Sequence, residues 1–263
     1  MVRTLFLAWQ DRSSRVWYPV GRLTSTEGVY TFEYINGAAE AQKEAGFQAL
    51  PYFPNLTYRY ESRELFPLFS NRVLPKSRPE YADFLKWLAV GRDGDPIAIL
   101  ARSGGQRATD AFEVFPCPEE TNSGEYRMHF LVHGLSHMSL DSIARANKLQ
   151  PGEELLIMKD VQNSIDRFAL ALRTSEKRPG DIYIIGYCPR YLCGDLLTLM
   201  DGSSQNMPQV TVEQVNLDPA PLQFRVLCQV RMQWSAGFSP FSGKDYQPLA
   251  TSNASLAEAS LVV

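Results

Sequence analysis

The amino-acid sequence predicts a mainly β protein with short helices, an α+β chain built from two small β-rich domains. Short runs in which apolar and polar residues alternate, such as Val29–Tyr34, are typical of half-buried strands. Clusters of Gly, Pro, Asp and Ser separate these runs and mark turns. The chain has 263 residues, 44% of them apolar and 21% charged, so it is long enough to bury two cores.

The first half begins with strands joined by polar turns, followed by a helix that ends at Gly46. A second helix has a proline in its first turn and an apolar stripe along one side. Two later apolar runs predict strands, and the Gly-Gly turn between them predicts a loop in which Arg102 and Arg107 are candidates for contacting an anion. The predicted strands are Leu5–Trp9, Trp17–Leu23, Val29–Tyr34, Ile97–Arg102 and Phe112–Pro116, and the predicted helices are Ala38–Ala45 and 79–88.

The polar segment Cys117–Glu125 separates the two halves, so we predict domains at 1–116 and 126–235. Residues 236–263 form a C-terminal extension, and its end, 250–263, is predicted to be a mobile tail because it is small and polar without periodicity. In the second domain the predicted strands are Phe130–Leu135, Leu155–Met158, Phe168–Leu172, Val210–Val215 and Arg225–Trp234, and the predicted helices are Ser139–Asn147 and Pro189–Met200.

Two polar residues, Asn163 and Asp166, interrupt an otherwise apolar stretch between two predicted strands. A buried polar group without a partner is costly, so both side chains need hydrogen bonds. They can bond the backbone of their own turn, as Asn and Asp commonly do. They can instead present a donor and an acceptor to a polar ligand such as a hydroxyl. Local chemistry leaves both interpretations open.

The order of motifs across roughly 130–230 resembles the HIRAN domain. The matching motifs are Gly152-Glu153, the Asn163 and Asp166 pair, Ile185-Gly186-Tyr187 and Pro189-Arg190-Tyr191-Leu192. The resemblance implies a small OB-like barrel that grips the 3′ end of single-stranded DNA. It places Asn163 and Asp166 at the terminal nucleotide and its hydroxyl, Arg190 at a phosphate and Tyr187 in the pocket.

One position departs from the pattern of end-binding HIRAN domains. Where those have Arg-Tyr-Tyr after Gly-Leu, this chain has Ser136-His137-Met138. Stacking of a base on an aromatic side chain is worth about 1–3 kcal/mol, so we expect weaker or different binding. His137 is a candidate for partial stacking, and Tyr187, Tyr191 and Phe168 are candidates to replace the missing rings.

The segment at roughly 3–90 resembles the N-terminal subdomain of HipA-like kinases. The closest match lies at Phe66, Phe69, Asn71, Leu74 and Pro75. The resemblance implies a β-rich regulatory cap without catalytic residues, whereas core packing explains the same aromatics more simply. It adds an alternative function, a regulatory or antitoxin-like module that binds a separate kinase, helicase or nuclease effector.

Composition and the absence of local motifs exclude several classes of protein. With 26 basic and 29 acidic residues, the chain lacks the charge excess of proteins that coat nucleic acid, so broad DNA binding is disfavoured. No apolar run reaches the 18 or so residues that cross a bilayer, and no signal peptide is evident, so a cytoplasmic protein is expected; the family resemblances imply a bacterial one. Motifs of hydrolases, metalloproteases and kinases are missing, so we predict no enzyme activity and no cofactor.

Cysteine and histidine spacing predicts no metal site. The four cysteines are spread without a CxxC pair, which favours free buried thiols in a cytosolic chain. His129, His133 and His137 are four residues apart, and on a strand such positions lie roughly 13 Å apart, too far to share an ion. The sequence therefore predicts a non-catalytic module that recognises a single-stranded DNA end, with the protein-interaction module as its alternative.

Overall fold

The computed structural model describes residues 3–176, 179–201 and 206–249, together with the backbone of 252–255. The strands are β1 Arg3–Gln10, β2 Trp17–Thr26, β3 Val29–Tyr34, β4 Tyr58–Ser62, β5 Phe112–Pro116, β6 Glu125–Leu131, β7 Glu154–Lys159, β8 Leu170–Thr174, β9 Ile184–Tyr187, β10 Gln209–Val215, β11 Val226–Gln233 and β12 Ser252–Ser255. The helices are α1 Asn36–Ala45, α2 Pro67–Ser70, α3 Tyr81–Trp87, α4 Pro96–Ser103, α5 Leu140–Ala146 and α6 Arg190–Asp201. The predicted fold class, mainly β with short helices, is confirmed.

The chain divides into two compact units. The first comprises Met1–Tyr81, Asp93–Cys117 and Phe241–Val263, and the second comprises Ala82–Arg92 and Pro118–Pro240. Most of the helix that the sequence assigned to the first domain thus belongs to the second unit. The predicted mobile tail, 250–263, lies outside the described residues apart from the backbone of β12, which pairs in parallel with β4.

The first unit is a six-stranded sheet in the order β12-β4-β3-β2-β1-β5. Its core is rich in aromatic rings. Phe32 stacks on Phe53 with ring centroids 4.0 Å apart, and Phe66 and Phe69 pack edge-on or tilted against these two rings. Because Phe66 and Phe69 are 1% and 0% exposed, core packing accounts for the two aromatics that carried the resemblance of this segment.

The strand predicted at Ile97–Arg102 is wrong, because this segment is helix α4. The carboxylate of Asp95 caps the helix by accepting a hydrogen bond from the Ile97 N–H at 3.2 Å, and Pro96 occupies the first helical position. Gly104 ends the helix in the left-handed conformation, with φ of 72°. These capping residues are visible in the sequence and outweigh the β-like apolar run.

The second unit is a sheet of six strands in the order β6-β11-β10-β7-β8-β9, curled around one core. Beyond the end of β6, His133 exchanges two backbone hydrogen bonds with Tyr187 of β9, at 3.0 and 2.9 Å. This pair brings the two edges of the sheet together, which gives the half-barrel of an OB-like fold. Helix α5 begins where predicted, at the Ser139 cap.

The half-barrel closes tightly because residue 186 is glycine. Gly186 has φ of 147°, and a Cβ built on it lies 2.4 Å from the His133 carbonyl oxygen. Only glycine allows the two backbones to approach this closely.

Three of the four cysteines are buried in the second unit as free thiols. Burial raises the pKa of Cys188 and Cys228 well above the ordinary value and that of Cys193 to about 12. Since the thiolate is the reactive form, we expect the native protein at about pH 8 to react quickly with a disulfide reagent at no more than one thiol, the half-buried Cys117. Unfolding in guanidinium should expose all four thiols. Rapid labelling of two or more thiols in the native protein would contradict the burial.

Among the described residues, no helix is long and apolar enough to cross a membrane.

Candidate functional site

The loop between β7 and β8, residues 160–169, contains Asn163 and Asp166 (named the 160s loop here). The side-chain oxygen of Asn163 accepts hydrogen bonds from the backbone N–H groups of Ile165 and Asp166, at 3.0 and 2.9 Å. Asp166 accepts one from the Phe168 N–H at 2.9 Å. Both side chains therefore bond the backbone of their own loop, the first of the two interpretations, and fix its shape.

Arg190, the first residue of α6, lies against this loop. Its Nε donates a hydrogen bond to Asp166 Oδ2 at 3.0 Å. Within the described residues no other hydrogen bond or ion pair of Arg190 is found, and 37% of its side chain is exposed. The two terminal nitrogens of the guanidinium thus remain available to an anion.

Asp160 joins Tyr187 to the same loop. The Tyr187 hydroxyl donates to Asp160 Oδ2 at 2.9 Å, and the Asn163 amide nitrogen lies 3.3 Å from the same oxygen. Burial, and then the hydrogen bond to Asp160, raise the pKa of Tyr187 above its ordinary value, so the phenol stays protonated. The sequence analysis did not single out Asp160, although an aspartate three residues before Asn163 at the end of a strand is a turn signal.

Four of the five predicted site residues therefore meet at one corner of the half-barrel, joined by hydrogen bonds through Asp160 and Asp166. His137 is the fifth and lies in a short 3-10 helix, Leu135–His137, with its side chain exposed. In the part of the chain that is described, no hydrogen bond links its side chain to the other four. Its segment starts next to Tyr187, since the position of a Gly134 Cβ is 3.4 Å from that ring.

The histidines are not three positions on one strand, as the sequence predicted. Only His129 lies on β6, where its Nε2 is 2.9 Å from Glu213 Oε2. His133 forms the isolated bridge to Tyr187, and Gly134 in the left-handed conformation then turns the chain into the 3-10 helix of His137. In the described residues, no group of His, Cys, Asp or Glu side chains is arranged to hold a metal ion.

A groove of about 480 Å³ runs between the 160s loop and helix α6. The side chains that matter for its chemistry are Lys159, Val161, Arg167 and Phe168 on one wall and Leu197, Thr198 and Asp201 on the other, with Asp201 4.0 Å from the Lys159 ammonium. Three apolar side chains of the loop are unusually exposed, namely Val161 at 87%, Ile165 at 74% and Phe168 at 49%. An exposed apolar set beside a groove is typical of a ligand-contacting surface.

Phe168 offers a ring on which a flat group can stack. The Arg167 guanidinium lies over this ring, 4.5 Å from its centroid, which is a cation–π arrangement. Phe168 was one of the predicted replacements for the missing aromatics, whereas Arg167 was not singled out. In the sequence, only the position of Arg167 next to Phe168 could have indicated a role for this arginine.

The second unit is by its fold an OB-like half-barrel with a polar corner and a groove beside it. Residues 126–235, less than half of the chain, match the HIRAN domain family, which confirms the predicted resemblance in this part of the chain. The comparisons give no support to a HipA-like first half, so that resemblance stays a prediction. No curated protein matches the chain.

Two solved structures resemble the same part. One is a protein from Lactobacillus plantarum, 19% identical, with a TM-score of 0.31, and the match covers 41% of this chain and 97% of that one. The other is the HIRAN domain of human HLTF, 17% identical, with a TM-score of 0.30, covering 41% of this chain and 74% of that one.

Proposed function

We propose that the second unit binds single-stranded DNA at its 3′ end, without catalysis, through the corner formed by Asn163, Asp166, Tyr187 and Arg190. The match to the HIRAN domain supports nucleic acid as the ligand. The observation that carries the proposal is the position of this corner beside a groove with an exposed aromatic ring.

The terminal hydroxyl finds both a donor and an acceptor at the corner. The Asp166 carboxylate accepts one hydrogen bond at each oxygen, and an ionised carboxylate has about four acceptor positions. The Asn163 amide nitrogen carries two N–H groups: one is directed at Asp160, and the Asn163 side chain also hydrogen-bonds the Tyr187 hydroxyl. A hydroxyl can therefore donate to Asp166 and accept from Asn163 in place of the Tyr187 hydroxyl, which leaves intact the backbone bonds that hold the loop.

The phosphate and the bases have separate partners. The terminal nitrogens of Arg190 face a phosphate, and the ring of Phe168 stacks a base next to the groove. The chain has no basic stripe, so only a few phosphates are contacted. We therefore expect a shallow dependence of affinity on salt, since the slope scales with the number of neutralised phosphates.

The first experiment compares oligonucleotides that differ only at the 3′ end. With a 5′-fluorescein label and anisotropy as the measurement, a 3′-hydroxyl should bind about tenfold more tightly than a 3′-phosphate, because an ionised phosphate has no hydrogen to donate to the Asp166 carboxylate and is repelled by its negative charge. The variant Asp166→Asn keeps an acceptor for the Phe168 N–H but removes the charge, so it should abolish this preference. Glu154→Gln, which likewise removes one carboxylate charge at an exposed position elsewhere in the unit, is the matched control. Equal curves for the two ends would overturn the proposal.

The alternative, a regulatory module that binds a HipA-like kinase or another effector, stays a prediction. The aromatics that suggested it are buried in the core of the first unit, where they are unavailable to a partner.

A further inference from the structure

A second cavity, of about 520 Å³, lies in the first unit and is not part of the HIRAN-like site. It is formed by the turn between β1 and β2 and by the loop that precedes β5. Its volume is in the range of small-molecule pockets, about 300–1,000 Å³. The lining side chains used below are Gln10, Arg12, Arg15, Trp17, Gln106 and Arg107.

The three arginines of this cavity lack acidic partners. Arg15 and Arg107 form no hydrogen bond or ion pair through their side chains with any described residue, and Arg12 only approaches the Thr109 carbonyl at 3.5 Å, which is a weak contact. Like charges lining one cavity repel each other, and an anion between them removes that repulsion.

The carboxylate of Asp110, which lines the cavity, already forms an ion pair with another arginine. Both oxygens of Asp110 accept hydrogen bonds from Arg72, at 3.1 and 2.7 Å, and the Arg72 side chain is only 2% exposed. Asp110 therefore neutralises a buried arginine and not the three that face the cavity. The cavity keeps its positive charge.

The turn that presents Arg15 is held in an unfavourable backbone conformation. Arg15 has φ of 62°, the left-handed region that residues other than glycine rarely adopt. Hydrogen bonds from the backbone and hydroxyls of Ser13 and Ser14 to the Asp11 carboxylate fix the turn and hold the pKa of that carboxyl far below its ordinary value. The Gln10 side chain donates to the Arg15 carbonyl at 3.0 Å. Fixed strain of this kind is often found at ligand sites.

Trp17 adds to the cationic cavity an aromatic ring that stacks on no other described ring. Its side chain is half-buried, and among the described residues the ring contacts no other aromatic and the indole N–H has no acceptor. The amide of Gln106 lies on the same cavity. A flat heterocycle can stack on the indole while the amide bonds its edge.

We propose that this cavity binds a nucleotide, with its phosphates on Arg12, Arg15 and Arg107 and its base against Trp17. Guanidinium groups suit phosphate because their planar forks donate paired hydrogen bonds. A phosphate-bearing nucleotide can be a free molecule or the end of a nucleic-acid strand. The chemistry is shared, so the test includes both sources.

The test uses the full-length chain and calorimetric titration with four probes: adenosine 5′-diphosphate, inorganic pyrophosphate, adenosine and a 5′-phosphorylated oligothymidylate. We expect the diphosphate nucleotide to bind, pyrophosphate to bind more weakly and adenosine not to bind. Oligonucleotide binding that the diphosphate does not match, and that is lost on substitution of Arg15 and Arg107, assigns the site to a strand end. The double variant Arg15→Asn with Arg107→Gln should weaken binding about 100-fold, roughly tenfold for each lost charged hydrogen bond. Asparagine at position 15 tolerates the left-handed backbone.

The matched control is Arg63→Gln with Arg78→Gln, which removes two exposed arginines elsewhere in the same unit. It should leave the affinity unchanged. No heat with any phosphate probe, or equal loss in both double variants, would overturn the site. Equal affinity for pyrophosphate and the nucleotide would overturn the role of Trp17. The result is independent of the DNA-end proposal, because the substituted residues lie in the other unit.

Discussion

Replacing Phe168 with alanine is expected to weaken the binding of a single-stranded oligonucleotide by about 5- to 150-fold, the loss that corresponds to one base stacked on an aromatic ring. The ring is 49% exposed, so its removal should cost little stability. Binding is measured by anisotropy and folding by far-ultraviolet circular dichroism. Phe168→Trp should retain or improve binding, because it keeps an aromatic face.

The control for this prediction is Leu217→Ala, which removes an apolar side chain of similar exposure, 56%, from the same unit but not from the groove. Its affinity should match that of the unsubstituted protein. If Phe168→Ala binds as well as this control, the bases do not stack on the 160s loop and the groove is not the path of the strand.

Gly186→Ala is expected to destabilise the second unit by about 2–5 kcal/mol, from a strained backbone conformation and from overpacking against His133 and Val132. That is a large part of the total stability of an ordinary domain, about 5–15 kcal/mol. Urea unfolding followed by circular dichroism measures the change as a lower midpoint for the transition of this unit.

Replacing Gly194 with alanine is expected to raise the free energy of unfolding of the second unit, whereas the substitution at Gly186 lowers it. Gly194 is an exposed residue of α6, and apart from its chain neighbours and the backbone of its own helix no atom of the described residues lies within 4 Å of the position of its Cβ. Removing a glycine from the interior of a helix should stabilise the unit by about 0.5–1 kcal/mol. An unchanged midpoint for Gly186→Ala beside a raised one for Gly194→Ala would show that the half-barrel is not closed as described.

The sequence was sufficient for the elements that depend on local signals. Nine of the twelve described strands overlap a predicted strand, whereas β4, β9 and β12 were not predicted, and the start of α5 follows from Ser139. Helix α4 was missed because its apolar run was given more weight than Asp95, Pro96 and Gly104, which define its ends. The turn at Gly134 was missed in the same way, so His137 was placed on a strand and not on a 3-10 helix.

The sequence predicted which residues form the candidate site but not the hydrogen bonds between them. Asn163, Asp166, Tyr187 and Arg190 were named from a motif, whereas the pairing of Arg190 with Asp166 joins residues 24 apart in the chain. The role of Asp160 depends on a hydroxyl 27 residues away. Contacts of this range come from the tertiary fold, which no local pattern reports. The arginine cavity of the first unit was even harder to predict from local patterns, because Arg12 and Arg107 are far apart in the sequence.

Tyr187 takes part in two different structures at once. Its backbone holds the closing pair with His133, while its hydroxyl holds Asp160 at the polar corner. The two are therefore coupled in free energy: an event that separates the sheet edges also loosens the corner, and an occupant of the corner makes the edges harder to separate. The stability of the half-barrel should therefore depend on whether its binding site is occupied.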